Sequence, residues 1–214
     1  MKLVDLSITD FYNAVDSDQA VPGGGSVAAL AGCLGASLIG MVGKLTLPKK
    51  KFSALSMEIQ NEFRQKLETI GKIKLELSNL VDKDTEAYQM VMDAYKHPKA
   101  TEDDIVLRNQ LILEGTKAAI KVPFQVAMLA LEAMGCMEFI LSYGNQSAAS
   151  DLGVACLMLL TAMEGAILNV KTNLSGLNND VTRLFYSNNV KAMLAQGESF
   201  KKTLMATING KIES

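Results

Sequence analysis

Between residues 26 and 45 the chain carries a single charge, Lys44, and within that span Ala28, Gly32, Ala36 and Gly40 return at every fourth position. That spacing sets the small side chains on one ridge of an α-helix, where other helices can approach closely. A segment this uniformly apolar predicts a central helix covered by its neighbours rather than a surface helix. Its richness in Gly, Ser and Ala rather than Leu argues against a membrane span, and no second comparable span stands apart from amphipathic ones.

The rest of the chain supports a helical reading. Nearly half of the 214 residues are apolar, only 21% are charged, Trp is absent and twelve are Met. Many alanines and few aromatics suit closely packed helices better than a sheet. No Val/Ile/Thr alternation marks a strand. The expectation is an all-α, single-domain chain over residues 1–214, an elongated bundle of about six to seven helices. A net charge of -2 lacks the basic face of a nucleic-acid binder. Cys33, Cys136 and Cys156 form no Cys-x-x-Cys pair and only one histidine is present, so a metal site is not expected. Reduced thiols, and an N-terminus without an apolar leader, suggest a cytoplasmic protein. The expected partners thus exclude nucleic acid and membrane.

Local signals divide the chain. Ser7 or Thr9 suits the cap of a first helix running to about Asp16, with Phe11 and Val15 inward. The central helix ends near Leu47-Pro48. A long helical pattern follows from about Phe52 to Tyr95, about 65 Å if continuous, and stops at His97-Pro98. Thr101 with Glu102, Asp103 and Asp104 reads as the next cap. Pro123 is expected to kink that helix or begin another. Further helices are expected at about Ala149–Leu174 and Asp180–Ile208. Met41, Met90, Met92, Met128, Met134 and Met158 read as core filler.

Three places carry candidate chemistry. The first is Pro22-Gly23-Gly24-Gly25-Ser26, in which three glycines remove every Cβ from a turn and Ser26 suits the N-cap of the central helix. Free N–H groups and the positive helix end there favour an anion or carbonyl. No Gly-Lys-Ser/Thr follows, which disfavours nucleotide binding. The second is Asp84, which interrupts an apolar stripe of Leu77, Leu80, Val81, Ala87 and Val91, whereas Asp82, Glu86, Gln89 and Asp93 fall on the polar side. A desolvated carboxyl would have a raised pKa suited to proton donation; a salt bridge or a helix-end partner explains the same pattern. The third is Gly144-Asn145 through Ser150-Asp151. Asp151, Asn169 and Asn173 share a stripe there, and Asp151 could equally serve the helix dipole while Asn169 bonds a neighbouring helix. The run Lys49-Lys50-Lys51 is a solvated entry or a holder for an anionic tail.

In order along the chain, Pro22-Gly23-Gly24-Gly25-Ser26-Val27-Ala28-Ala29, Met41-Val42 with Leu45-Thr46, and Val81-Asp82-Lys83-Asp84 with Ala87-Tyr88 resemble the cyclodeaminase/cyclohydrolase domain of the formiminotransferase-cyclodeaminase family. Val122-Pro123, Gly144-Asn145 with Ser150-Asp151 and Val154-Ala155, and Asn169-Val170 with Asn173-Leu174 continue the likeness. The resemblance implies a helical homodimer that acts on tetrahydrofolate derivatives as substrates, with no cofactor and no metal. It implies Asp84 as the catalytic acid/base and a substrate site lined by Gly23, Gly24, Gly25, Ser26, Asn145 and Asp151. The implied reaction is cyclodeamination of 5-formiminotetrahydrofolate to 5,10-methenyltetrahydrofolate and ammonia, or hydrolysis of the methenyl compound to 10-formyltetrahydrofolate. A non-catalytic folate-binding or scaffolding helical dimer is the alternative. The separate transferase domain of bifunctional relatives is not expected in this chain.

Overall fold

In the computed structural model, residues 2–177 and 179–213 are described. They form seven α-helices and no strand: α1 (Ile8–Val15), α2 (Gly24–Thr46), α3 (Lys50–Ser53), α4 (Met57–Lys96), α5 (Glu102–Tyr143), α6 (Ala149–Leu174) and α7 (Asp180–Ile212). Short 3-10 turns cover Leu3–Asp5 and Gln146–Ala148.

The helix starts follow local chemistry. Ser7 accepts the Asp10 N–H at 3.1 Å, and Ser56 accepts that of Ile59 at 3.3 Å. Thr101 and Asp104 cap each other's backbone at 3.1 and 3.0 Å. The Ser56 cap splits the expected 52–95 helix into the single turn α3 and the 40-residue α4, which extends about 60 Å.

α2, α4, α5 and α6 make an up-and-down bundle, with α7 laid against α6 and α5. α2 is antiparallel to both α4 and α6, and its small residues let them close in. A Cβ on Gly35 would stand 2.9 Å from Leu159 of α6, and one on Gly43 would overlap Leu67 of α4. The apolar helix is therefore central; of its expected ridge, Ala28 and Ala36 are buried and Gly32 faces Leu77 and Ala162, whereas Gly40 meets nothing within 4 Å. α2, α5 and α6 are each long and apolar enough to cross a membrane, yet 56% of each apolar window is buried inside the bundle.

Three expectations need refining. Of the two outcomes expected at Pro123, a new helix does not begin there: α5 runs through it for 42 residues. Proline supplies no N–H, so the Ala119 carbonyl one turn earlier loses its helical donor. Asn173 of α6 takes that donor's place, its amide donating to Ala119 O at 2.7 Å. Next, the methionines are not uniformly core: Met134 is fully buried, but Met41, Met90, Met92 and Met128 are exposed, because their helix faces point away from the bundle. Finally, Asp82 is not simply on the polar side. It is half-buried, and its Oδ1 accepts the Leu3 N–H at 2.5 Å, tying the N-terminal turn to α4.

Candidate active site

α2 starts with Gly23 as its N-cap, so Ser26 is not the cap the sequence suggests but the third helical residue, fully buried. Glycine is itself an acceptable N-cap, which leaves the serine hydroxyl free for a bond between helices. It donates to the Val81 carbonyl of α4 at 2.7 Å. No glycine among the described residues has a positive φ. The glycine turn therefore serves clearance, not an unusual backbone.

What needs the clearance is Asp84. It projects from the buried face of α4 onto the first turn of α2, where a Cβ on Gly25 would overlap its carboxylate. The Ser26 hydroxyl lies 3.4 Å from Asp84 Oδ2 and 3.4 Å from the Thr85 hydroxyl. The salt-bridge explanation finds no support among the described residues: the ion pairs there are Lys72–Glu68, Lys96–Asp93 and Lys201–Glu198, all on the surface. The helix-end explanation does hold in part, since the Ser26 backbone N–H donates to this carboxylate. Burial pushes the Asp84 carboxyl above its usual range, and the Ser26 N–H and hydroxyl pull it only part of the way back. Such a group holds a proton at higher pH than an ordinary carboxylate and can hand it on.

Gly24 completes the turn. Its missing Cβ faces Asn169 of α6, whose amide nitrogen lies 3.6 Å from the point that Cβ would occupy. The turn thus meets one polar side chain from α4, which needs the clearance at Gly25, and one from α6, which packs against Gly24 at ordinary contact distance.

The structure brings Gly23, Gly24, Gly25, Ser26 and Asp84 together and leaves Asn145 and Asp151 elsewhere in the protomer. The Asn145 N–H donates to Thr46 Oγ1 at 2.8 Å, at the last turn of α2. The 23 residues of α2 place that turn about 30 Å from the glycines. Asn145 Oδ1 accepts the Ser147 N–H at 3.3 Å, and Asp151 stands in the first turn of α6, where the dipole favours it. The exposed Lys49, Lys50 and Lys51 are at this same far end.

A groove of about 910 Å³ runs between α4, α5 and α7, past Leu80, Lys83, Met128, Glu132, Met193 and Phe200. It lies on a different face of α4 from Asp84, which turns toward α2. The groove and the perturbed carboxyl are thus separate features.

Sequence reading did not connect Asn173 with Pro123. A mid-helix proline signals an orphaned carbonyl, but nothing local identifies a donor fifty residues away.

A model of the formiminotransferase-cyclodeaminase family matches residues 7–206. This chain belongs to that family. Among its relatives, the methenyltetrahydrofolate cyclohydrolase of Methylorubrum extorquens is 31% identical over 206 residues, 96% of this chain and 97% of that one. The formimidoyltransferase-cyclodeaminase of Mus musculus is 32% identical over 99% of this chain, which spans 38% of that protein's length. The crystal structure of formiminotetrahydrofolate cyclodeaminase from Thermotoga maritima superposes with a TM-score of 0.84 at 25% identity, covering 97% of this chain and 98% of that one. The shared fold of this family is therefore the helical bundle described above.

Proposed function

We propose that this protein is a tetrahydrofolate one-carbon enzyme, a cyclodeaminase or methenyltetrahydrofolate cyclohydrolase, with Asp84 as its general acid/base. The supporting observation is the Asp84 carboxyl, desolvated and unpaired with any cation among the described residues, seated where only a glycine leaves room. The named activities of the relatives in both groups supply the substrate class.

Both reactions are proton transfers around one carbon. In cyclodeamination, N10 bonds to the carbon of the protonated formimino group (–CH=NH2+) and gives up its proton, the exocyclic NH2 gains one, and the C–N bond to it breaks to release ammonia and the methenyl cation. In cyclohydrolysis, water bonds to the methenyl carbon and loses one proton to solvent; the C–N5 bond breaks as the second moves to N5. A protonated Asp84 supplies the nitrogen that leaves or is released. General acid–base catalysis of this kind contributes about 10²–10⁴-fold. The proton balance closes without a metal or cofactor, and Gly23, Gly24, Gly25 and Ser26 line the end of the site from which backbone N–H groups orient the ligand.

The working unit of this proposal is a homodimer. Val27, Leu34, Met41 and Leu45 of α2 and Val154, Leu157 and Leu168 of α6 are exposed, an apolar band of the kind buried between subunits. A twofold axis across the middle of α2 sets its two ends side by side. Asn145, Asp151 and Lys49–Lys51 of one copy then reach the Asp84 of the other, the lysines toward the anionic glutamate tail of folate. The three free thiols fit a reducing, cytoplasmic setting.

The test is absorbance of the methenyl chromophore with purified protein. Its growth from 5-formiminotetrahydrofolate marks a cyclodeaminase; its decay from the methenyl compound marks a cyclohydrolase. Saturable folate binding without either change supports a binding module and refutes the enzyme reading.

A further inference from the structure

Two asparagines on α6, one turn apart, face inward with different amounts of work to do. Asn173 is accounted for by the carbonyl that Pro123 leaves open. Asn169 is not. Its Nδ2 donates at 2.9 Å to the Gly165 carbonyl one turn back, an acceptor that a helix already serves through its own backbone N–H, so the bond holds the rotamer without satisfying any orphan. Among the described residues no donor meets its Oδ1. The half-buried amide lies against Gly24, with its nitrogen 3.6 Å and its oxygen 4.0 Å from the point a Cβ would occupy, ordinary packing distances.

The next residue, Gly25, lies still closer to Asp84, where a Cβ would overlap the carboxylate. Consecutive Cα atoms are about 3.8 Å apart, so the amide from α6 and the carboxyl from α4 flank a single backbone step. An amide carbonyl with a free lone pair accepts from N–H or O–H but cannot itself give or take a proton at neutral pH. The geometry points to Asn169 as a positioning residue for the reaction: its Oδ1 accepts from the attacking group, N10–H or water, and turns that group's lone pair toward the one-carbon centre while Asp84 serves the nitrogen that leaves or is released. This assignment rests on the enzyme reading above.

The experiment compares Asn169→Ala, Asn169→Asp and Asn173→Ala with the unsubstituted protein, measuring kcat and KM on both folates, the pH dependence of kcat and the melting temperature. Orientation is worth on the order of 10²-fold for a misplacement of about 1 Å. Asn169→Ala is therefore expected to lower kcat by about 10–10²-fold with a much smaller change in KM, and to leave the pH dependence set by Asp84 in place. Asn169→Asp, which keeps an acceptor oxygen at the same reach, should recover part of that loss. Asn173→Ala should lower the melting temperature and leave kcat alone. The proposal is overturned if Asn169→Ala keeps kcat within about twofold, well below the effect expected of an orienting group. It is equally overturned if the loss follows the melting temperature and the Asp variant recovers nothing. If Asp84→Asn still abolishes turnover in those cases, only the assignment of Asn169 has failed; full activity of Asp84→Asn would instead remove the reading beneath it.

Discussion

The two ends of α2 are both polar caps on an apolar rod, yet they differ in how their polar groups are satisfied. At the C-terminal end Thr46 donates to Val42 O at 2.7 Å and accepts the Asn145 N–H at 2.8 Å. Donor and acceptor roles are filled, and the bonds fix where the loop to α6 sits. At the N-terminal end the half-buried Asp84 carboxyl has one helix N–H and a serine hydroxyl for company, and its pKa is raised. One end has its hydrogen-bonding roles filled; the other carries the perturbed carboxyl on which the proposed chemistry rests.

The largest expected effect tests that contrast directly. Asp84→Asn should remove about 10²–10⁴-fold of turnover without unfolding the protein. Folding raises this carboxyl, so the native state favours its protonated form. The stability it contributes is present below the ordinary carboxylate range and is lost as pH rises through the folded value. Melting curves at about pH 4 and about pH 8 should therefore show the unsubstituted and substituted chains alike in acid, with the substituted chain at least as stable in alkali. A variant that melts lower at the alkaline end would mean the carboxylate is well paired after all. Mixing Asp84→Asn with Asp151→Asn protomers sharpens the same contrast. Recovery of turnover in the mixture supports a site shared across the twofold, and two inactive parents that stay inactive together argue for separate ends.

Gly25→Ala comes next. The methyl overlaps the carboxylate, so Asp84 must move, and a shift of about 1 Å costs on the order of 10²-fold. Gly40 is the control on the same helix: a Cβ there meets nothing within 4 Å, and Gly40→Ala should stabilise by about 0.5–1 kcal/mol with activity unchanged. Equal kinetic damage from both substitutions would break the clearance argument.

Asn173→Ala leaves the Ala119 carbonyl without a donor and should cost about 1–3 kcal/mol in chemical denaturation. Pro123→Ala restores a backbone N–H to that carbonyl, so the two losses should be less than additive. Thr46→Val, at the far end, removes one acceptor from the Asn145 N–H and should cost about 1 kcal/mol, the smallest destabilisation of the set.

The helical class, the central position of α2 and the capping of α1 and α5 were legible because each depends on residues within a few turns of one another. So was Asp84 as the misplaced acid on an apolar stripe. The place of Ser26 was not, since whether it caps its own helix or bonds Val81 depends on how near α4 comes. The continuity of α5 through Pro123 was likewise settled by a donor from α6. The exposed methionines show the same limit: periodicity identifies an apolar face without saying which faces the bundle covers.

By itself the sequence determined where α1 and α5 start, which helix lies at the centre and which carboxyl is out of place, because those follow from spacing and local backbone chemistry. Only the tertiary structure decided that Gly25 clears space for a carboxyl from α4 beside an amide from α6, and that Asn145 and Asp151 stand at the opposite end of α2. Such relations depend on the distance and direction of approach between segments far apart in the chain, and no local energy term encodes them.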